Sequence, residues 1–152
     1  MADTLTKIYV HLVFHTKKGK PVIQEIDLPE MFAYIGGLIK SADSIPLEVG
    51  GIRDHIHALF VLPKTMTLAD FARHIKANSS KWIKSKGDYY KNFAWQDGYG
   101  AFSVSASVID KTREYIRNQA QHHEIVSYQT EYKNFLSAYH ISYNEKYIFE
   151  DI

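Results

Sequence analysis

Residues 55–62 read His-Ile-His-Ala-Leu-Phe-Val-Leu, an apolar run with two imidazoles set one residue apart at its start. A short run of this composition predicts a β-strand. On a pleated strand, side chains two apart share a face, so His55 and His57 project together and form a ready-made pair of metal ligands. The competing reading is one buried and one exposed sheet histidine with no chemical role.

The flanking segments set the topology around this strand. Residues 8–14 are a second β-rich run, ending in the basic turn Thr16-Lys17-Lys18-Gly19-Lys20-Pro21. Pro29 suits the first turn of a helix in which Met31, Phe32, Ile35, Leu38 and Ile39 recur at three- and four-residue steps up to Ser41. A strand over about residues 47–52 should pair with the histidine strand as an antiparallel hairpin across Arg53-Asp54. Thr67 caps a further helix, with Asp70 at the capping-box position and an apolar stripe of Leu68, Phe71, Ile75, Trp82 and Ile83, ending near Gly87. An aromatic, glycine-bearing loop over residues 89–100 leads to a fourth strand at 101–105. Ser107 then caps a helix running to about His123. A shorter helix over 131–139 and an aromatic tail through Tyr143, Tyr147 and Phe149 follow. This order predicts an α+β, ferredoxin-like βαββαβ fold. It has an antiparallel sheet with helices on one face and a C-terminal tyrosine-bearing helix, all in one domain over 1–152. The first and third strands are central in that arrangement, so the histidine strand lies mid-sheet.

Composition narrows the function classes. A chain of 152 residues with 45% hydrophobic residues suffices for one core. A net charge of +1 excludes a global basic field. Charge is unevenly spread, however: Lys64, Arg73, Lys76, Lys81, Lys84, Lys86 and Lys91 face only Asp70 and Asp88. Glu124, Glu131, Glu145, Glu150 and Asp151 then outweigh Lys133 and Lys146. A basic middle with an acidic tail points to a polyanionic partner. The absence of cysteine removes disulfides and thiolate chemistry. With neither a secretion signal nor an apolar run long enough to span a membrane, the chain reads as soluble and cytoplasmic, without a membrane partner.

A second pair of residues completes a chemical set. Tyr115 and Gln119 stand four apart on the predicted helix and share a face. A phosphodiester repels nucleophiles through its negative oxygens, and a divalent cation offsets that charge. Two neutral imidazoles and the Gln119 amide oxygen would hold Mg²⁺ or Mn²⁺ while leaving coordination positions for phosphate. Lacking an acidic ligand, such a centre should bind free metal modestly and bind it better with DNA present. Tyr115, placed beside the cation by Gln119, is the candidate nucleophile. His122 is a proton carrier or supporting group. For DNA contacts, Arg73, Lys76, Ser80, Lys81 and Lys84 lie along one helix, and Lys17, Lys18 and Lys20 form a second basic cluster. Tyr89, Tyr90 and Trp95 either stack on unpaired bases or pack within their loop.

These residues carry a resemblance. His-Ile-His on a strand, followed by Tyr115-Ile116-Arg117-Asn118-Gln119 and His122-His123, resembles the single-tyrosine HUH transposases of the insertion-sequence 200/605 family. The similarity runs from the first strand through residues 76–81 and 95–105 to the tyrosine helix. It implies a homodimeric DNA transposase that recognises single-stranded hairpins at transposon ends. Cleavage passes through a 5′-phosphotyrosine link, and rejoining reverses it. By residue matching, His55, His57 and Gln119 are metal ligands and Tyr115 is the nucleophile. The tyrosine helix docks on its own or on a partner's subunit, with Gly98 and Gly100 as a hinge. Two alternatives remain: a host-adapted nuclease for repeated hairpins with the same catalytic residues, and a non-catalytic single-strand binder.

Overall fold

The two-residue period of the central strands divides the sheet into two unlike faces. The computed structural model describes residues 2–148. Its elements are β1 (Tyr9–His15), α1 (Leu28–Ser41), β2 (Pro46–Ile52), β3 (His55–Val61), α2 (Leu68–Lys84), β4 (Gly100–Val104), α3 (Ile109–Arg117), α4 (Gln119–His122), α5 (Tyr128–Ala138) and α6 (Glu145–Ile148). The strands form one sheet in the order β2-β3-β1-β4, with every neighbouring pair antiparallel. This is the expected ferredoxin-like α+β arrangement, with the histidine strand in the interior of the sheet.

Register determines what each face carries. In the β1–β3 ladder Val10 pairs with Phe60, Leu12 with Ala58 and Phe14 with Ile56. Those residues pack against Met31, Ile35 and Ile39 of α1 and Phe71, Ile75 and Ile83 of α2 as the main core. The alternate positions pair His11 with Leu59, Val13 with His57 and His15 with His55. Four imidazoles therefore share the other face, which is covered by the C-terminal helices. Phe102, Tyr128, Tyr132 and Leu136 form a second apolar cluster there with Val13.

Local signals set the helix ends, with two departures from expectation. Thr67 caps α2 by accepting from Asp70 N at 3.1 Å. Ser107, expected to cap the tyrosine helix, does not. Ser105 instead accepts from Ser107 N in a 3-10 turn that precedes α3. The helix expected to run unbroken to His123 is interrupted at Asn118, whose φ of −95° and ψ of 22° leave the helical region. Tyr115 and Gln119 nonetheless stay one turn apart, with Gln119 Nε2 donating to Tyr115 O at 3.4 Å. Tyr143 and Tyr147 of the aromatic tail are exposed, and Phe149 lies outside the described residues. Among the described residues, no helix is long and apolar enough to cross a membrane.

Candidate active site

The imidazoles of β3 are held from behind and open toward one another. His55 and His57 are fully buried. His55 Nδ1 contacts Asp54 Oδ1 at 2.6 Å, in the turn joining β2 to β3. His57 Nδ1 lies 2.7 Å from His11 Nε2 on β1. Each Nε2 is thereby left facing the C-terminal helices. Such outer hydrogen bonds orient the rings of metal-ligating histidines. Two rings fixed in this way, with a carbonyl oxygen nearby, fit a divalent cation. Gln119 supplies that oxygen: its Oε1 is 3.0 Å from His55 Nε2 and 2.9 Å from His123 Nε2.

The helices close the site because β2 carries no side chain where α3 crosses it. A Cβ on Gly50 would lie 2.6 Å from Ile116 O and 2.9 Å from Ile116 Cγ2. Glycine there admits the α3 backbone and brings Tyr115 over the histidine face of its own chain. The Tyr115 hydroxyl donates to Glu131 Oε2 and lies 3.3 Å from His122 Nε2. Glu131 stands in the first turn of α5, where the helix dipole favours a carboxylate, and Ser127 caps that helix. Its Oε1 is 3.0 Å from His57 Nε2 and 3.5 Å from His55 Nε2. Its Oε2 accepts from Gln119 Nε2 at 3.2 Å and lies 3.2 Å from His122 and 3.3 Å from His123.

Burial and one carboxylate set the charges. Burial pushes His57 down to about 4, against the pull of Glu131. Burial also disfavours protonated His55, but hydrogen bonds to Asp54 and Glu131 outweigh it and raise that group to about 9. For Glu131, burial favours the neutral acid, and the hydrogen bonds from His123, His55 and His57 overcome it, keeping the group well below the usual carboxylate range. Burial, reinforced by the Glu131 acceptor, raises Tyr115. Without a cation, therefore, the site holds an ionised Glu131 and an un-ionised phenol. It opens onto a groove lined by His11, Lys111, Tyr115, His122, Phe135 and Tyr139.

Residues 4–119, most of the chain, match the family model described as "Transposase IS200 like". The chain belongs to the IS200-like transposase family. A crystal structure of a Deinococcus radiodurans R1 protein provisionally described as a transposase is similar in fold. Its TM-score is 0.59 at 18% identity, over 78% of this chain and 95% of that one. The structure of a REP-associated tyrosine transposase bound to a REP hairpin aligns with a TM-score of 0.56 at 14% identity, over 83% of this chain and 76% of that one. No curated protein matches.

His55, His57, Tyr115, Gln119 and His122, the residues expected to form the site, converge within one chain. His123, which follows His122 in the motif, joins them, and two further neighbours, His11 and Glu131, come from outside the motif. The set expected to lack an acidic ligand has a buried carboxylate at its centre. Glu131 belongs by charge to the acidic tail, yet it shares a helical stripe with Tyr128, Tyr132 and Phe135, and an acid inside such a stripe is the sequence signal that marks it. Lys111, one turn before Tyr115, is a base on the groove that spacing alone could have found.

The basic residues of α2 lie elsewhere, because α2 packs on the opposite face of the sheet. Arg73 is exposed and pairs with Asp70 at 3.3 Å. Lys76 is tied to the backbone, donating to Gly98 O at 2.8 Å and Asp97 O at 3.1 Å. Lys81 and Lys84 are exposed, and Ser80 is half-buried. Lys17, Lys18 and Lys20 line a concavity with Tyr89, Tyr90 and Phe93. Of Tyr89, Tyr90 and Trp95, only Tyr89 is exposed and able to stack on a base. Tyr90 is buried and donates to Asp27 at 2.5 Å. Trp95 is buried against Phe14 and Phe93 and donates to Ser79 at 3.0 Å.

The hinge expected at Gly98 and Gly100 is at the wrong end of β4. Gly100 opens that strand, paired with Val13, and a Cβ there would lie 2.7 Å from Tyr132 Cε1. It serves close packing, and the chain leaves the sheet for α3 through residues 105–108 instead.

Proposed function

We propose that this chain cuts and rejoins single-stranded DNA at hairpin-bearing transposon ends. Tyr115 is the nucleophile, and His55, His57 and Gln119 hold Mg²⁺ or Mn²⁺. The observation that carries this reading is the Glu131 carboxylate shared by the Tyr115 hydroxyl and His57 Nε2. That sharing brings nucleophile and candidate ligands together without any movement of the backbone. A bound divalent cation would offset phosphate charge, polarise the phosphorus and favour the ionised phenol.

The residues divide the remaining work. A strand lying in the groove would set a phosphate against Tyr115, with Lys111 beside it for charge. Tyr115 Oη attacks phosphorus, and the 3′-oxygen departs with its electron pair and takes up a proton. The products are a 5′-phosphotyrosine link and a free 3′-hydroxyl. The phenolic proton passes to His122 Nε2, which is 3.3 Å away and one-third exposed, and so can exchange it with solvent. Attack by a 3′-hydroxyl on the phosphotyrosine reverses the sequence and rejoins the strand. Lys17, Lys18 and exposed Tyr89 form the surface best suited to a flanking strand or hairpin. Arg73, Lys76, Lys81 and Lys84 would serve only DNA that reaches the far side of the sheet. Two copies, each with a complete site, would act on the two ends of an element.

Tyr115→Phe removes one oxygen and leaves the ring. Cleavage of a labelled single-stranded end in Mn²⁺ should fall at least about a thousandfold, while hairpin affinity stays within about twofold. Cleavage at the original rate by this variant would exclude Tyr115.

A further inference from the structure

We propose that Glu131 is an anionic ligand of the cation through Oε1, so that the centre binds its ion before DNA arrives. This rests on the functional reading above for the presence of an ion, and it changes the composition of the site. Within the family-matched residues 4–119, the ligands at hand are neutral: two imidazoles and an amide. The carboxylate enters from α5, beyond that region.

Spacing supports a shared ion. Two ligand atoms at about 2.1 Å from one octahedral cation stand about 3.0 Å apart when at right angles. Glu131 Oε1 to His57 Nε2 is 3.0 Å, His55 Nε2 to Gln119 Oε1 is 3.0 Å, and Glu131 Oε1 to His55 Nε2 is 3.5 Å. These are hydrogen-bond separations in the metal-free site, and they match the edges of such a coordination shell, so an ion can replace the bridging imidazole protons with little movement of the ligand atoms. Among the described residues, the ligand atoms of His55, His57, His123 and Glu131 all lie within 4.8 Å of one another. His123 is the weaker candidate, because its Nδ1 has no hydrogen-bond partner, whereas His55 and His57 are each held from behind. The two carboxylate oxygens also divide their contacts. Oε1 faces the β3 imidazoles, and Oε2 faces Tyr115 and Gln119 Nε2. Glu131 can thus bind the ion and still hold the hydroxyl of Tyr115.

The consequence is opposite to that of a neutral ligand set. With His, His and Gln alone, the ion keeps its double charge and depends on phosphate for tight binding. A carboxylate removes half of that charge and lets the protein hold the ion alone.

Manganese titrated into DNA-free protein, followed by electron paramagnetic resonance and calorimetry, tests this. Glu131→Gln keeps the shape and one acceptor oxygen but loses the charge and the second acceptor, and should weaken Mn²⁺ binding at least about tenfold. An unchanged dissociation constant would overturn the proposal. Should the variant fail to fold, wild-type protein carrying ¹³C at its glutamate carboxyls serves instead. A bonded carboxylate gives a resolved ¹³C coupling to Mn²⁺, and its absence excludes Glu131. Failure here leaves the functional reading standing if wild-type protein still forms a covalent DNA adduct. Weakened Mn²⁺ binding without any adduct would keep the ligand and reject the nuclease.

Discussion

At the scale of single residues, one carboxylate sets the character of the site. Against burial, Asp54 and Glu131 raise His55 to about 9, while burial pushes His57 down to about 4. In metal-free protein these act in opposite pH windows. His55 stabilises the fold fully below its ordinary value of 6.5, and that contribution is lost as pH rises through about 9. His57 is neutral in the fold, so its contribution is present above 6.5 and is lost as pH falls through about 4. Urea unfolding in the presence of a chelator should therefore show greatest stability near neutral pH. The alkaline decline should be absent in His55→Gln, and an identical alkaline limb in that variant would contradict the assignment. His55 and His57 were legible because they lie within one strand, and Tyr115 and Gln119 because they stay one helical turn apart across the break at Asn118, so local spacing fixes each shared face. Glu131 and His11 come from other elements and join only through strand register and the docking of α5, which no local pattern encodes.

At the scale of elements, the site depends on how α3 seats on β2. Gly50→Val would drive a branched side chain into Ile116 O, which already lies 2.6 Å from where a Cβ would stand. The expected cost is about 1–3 kcal/mol of stability. Displacement of Tyr115 should lower cleavage further than the loss of folded protein explains. Thermal melts and cleavage rates at a temperature where the variant remains folded separate the two effects, and normal cleavage would show that α3 need not seat there. The strands and the first two helices were legible from alternation, capping and helical period. The break at Asn118 and the true start of α3 were not, because Ser105 and Ser107 are both acceptable caps and tertiary packing chose between them.

At the scale of the whole molecule, the sheet separates two tasks. One face carries an apolar core under α1 and α2, and the other carries four imidazoles under the C-terminal helices. This explains why the basic stripe read along α2 lies behind the sheet from Tyr115, since helical period shows that residues align but not which layer they enter. All candidate site residues come from one chain. A mixture of His57→Ala and Tyr115→Phe proteins should therefore cleave no better than either alone, whereas restored cleavage would mean that α3 is exchanged between copies. The central claim, a phosphotyrosine formed at Tyr115, is tested most directly by peptide mass mapping of protein trapped on a single-stranded end in Mn²⁺. The account predicts a nucleotide-bearing peptide containing Tyr115 and a free 3′-hydroxyl on the released strand. A nucleotide on any other residue, or cleavage with no covalent adduct, would contradict it.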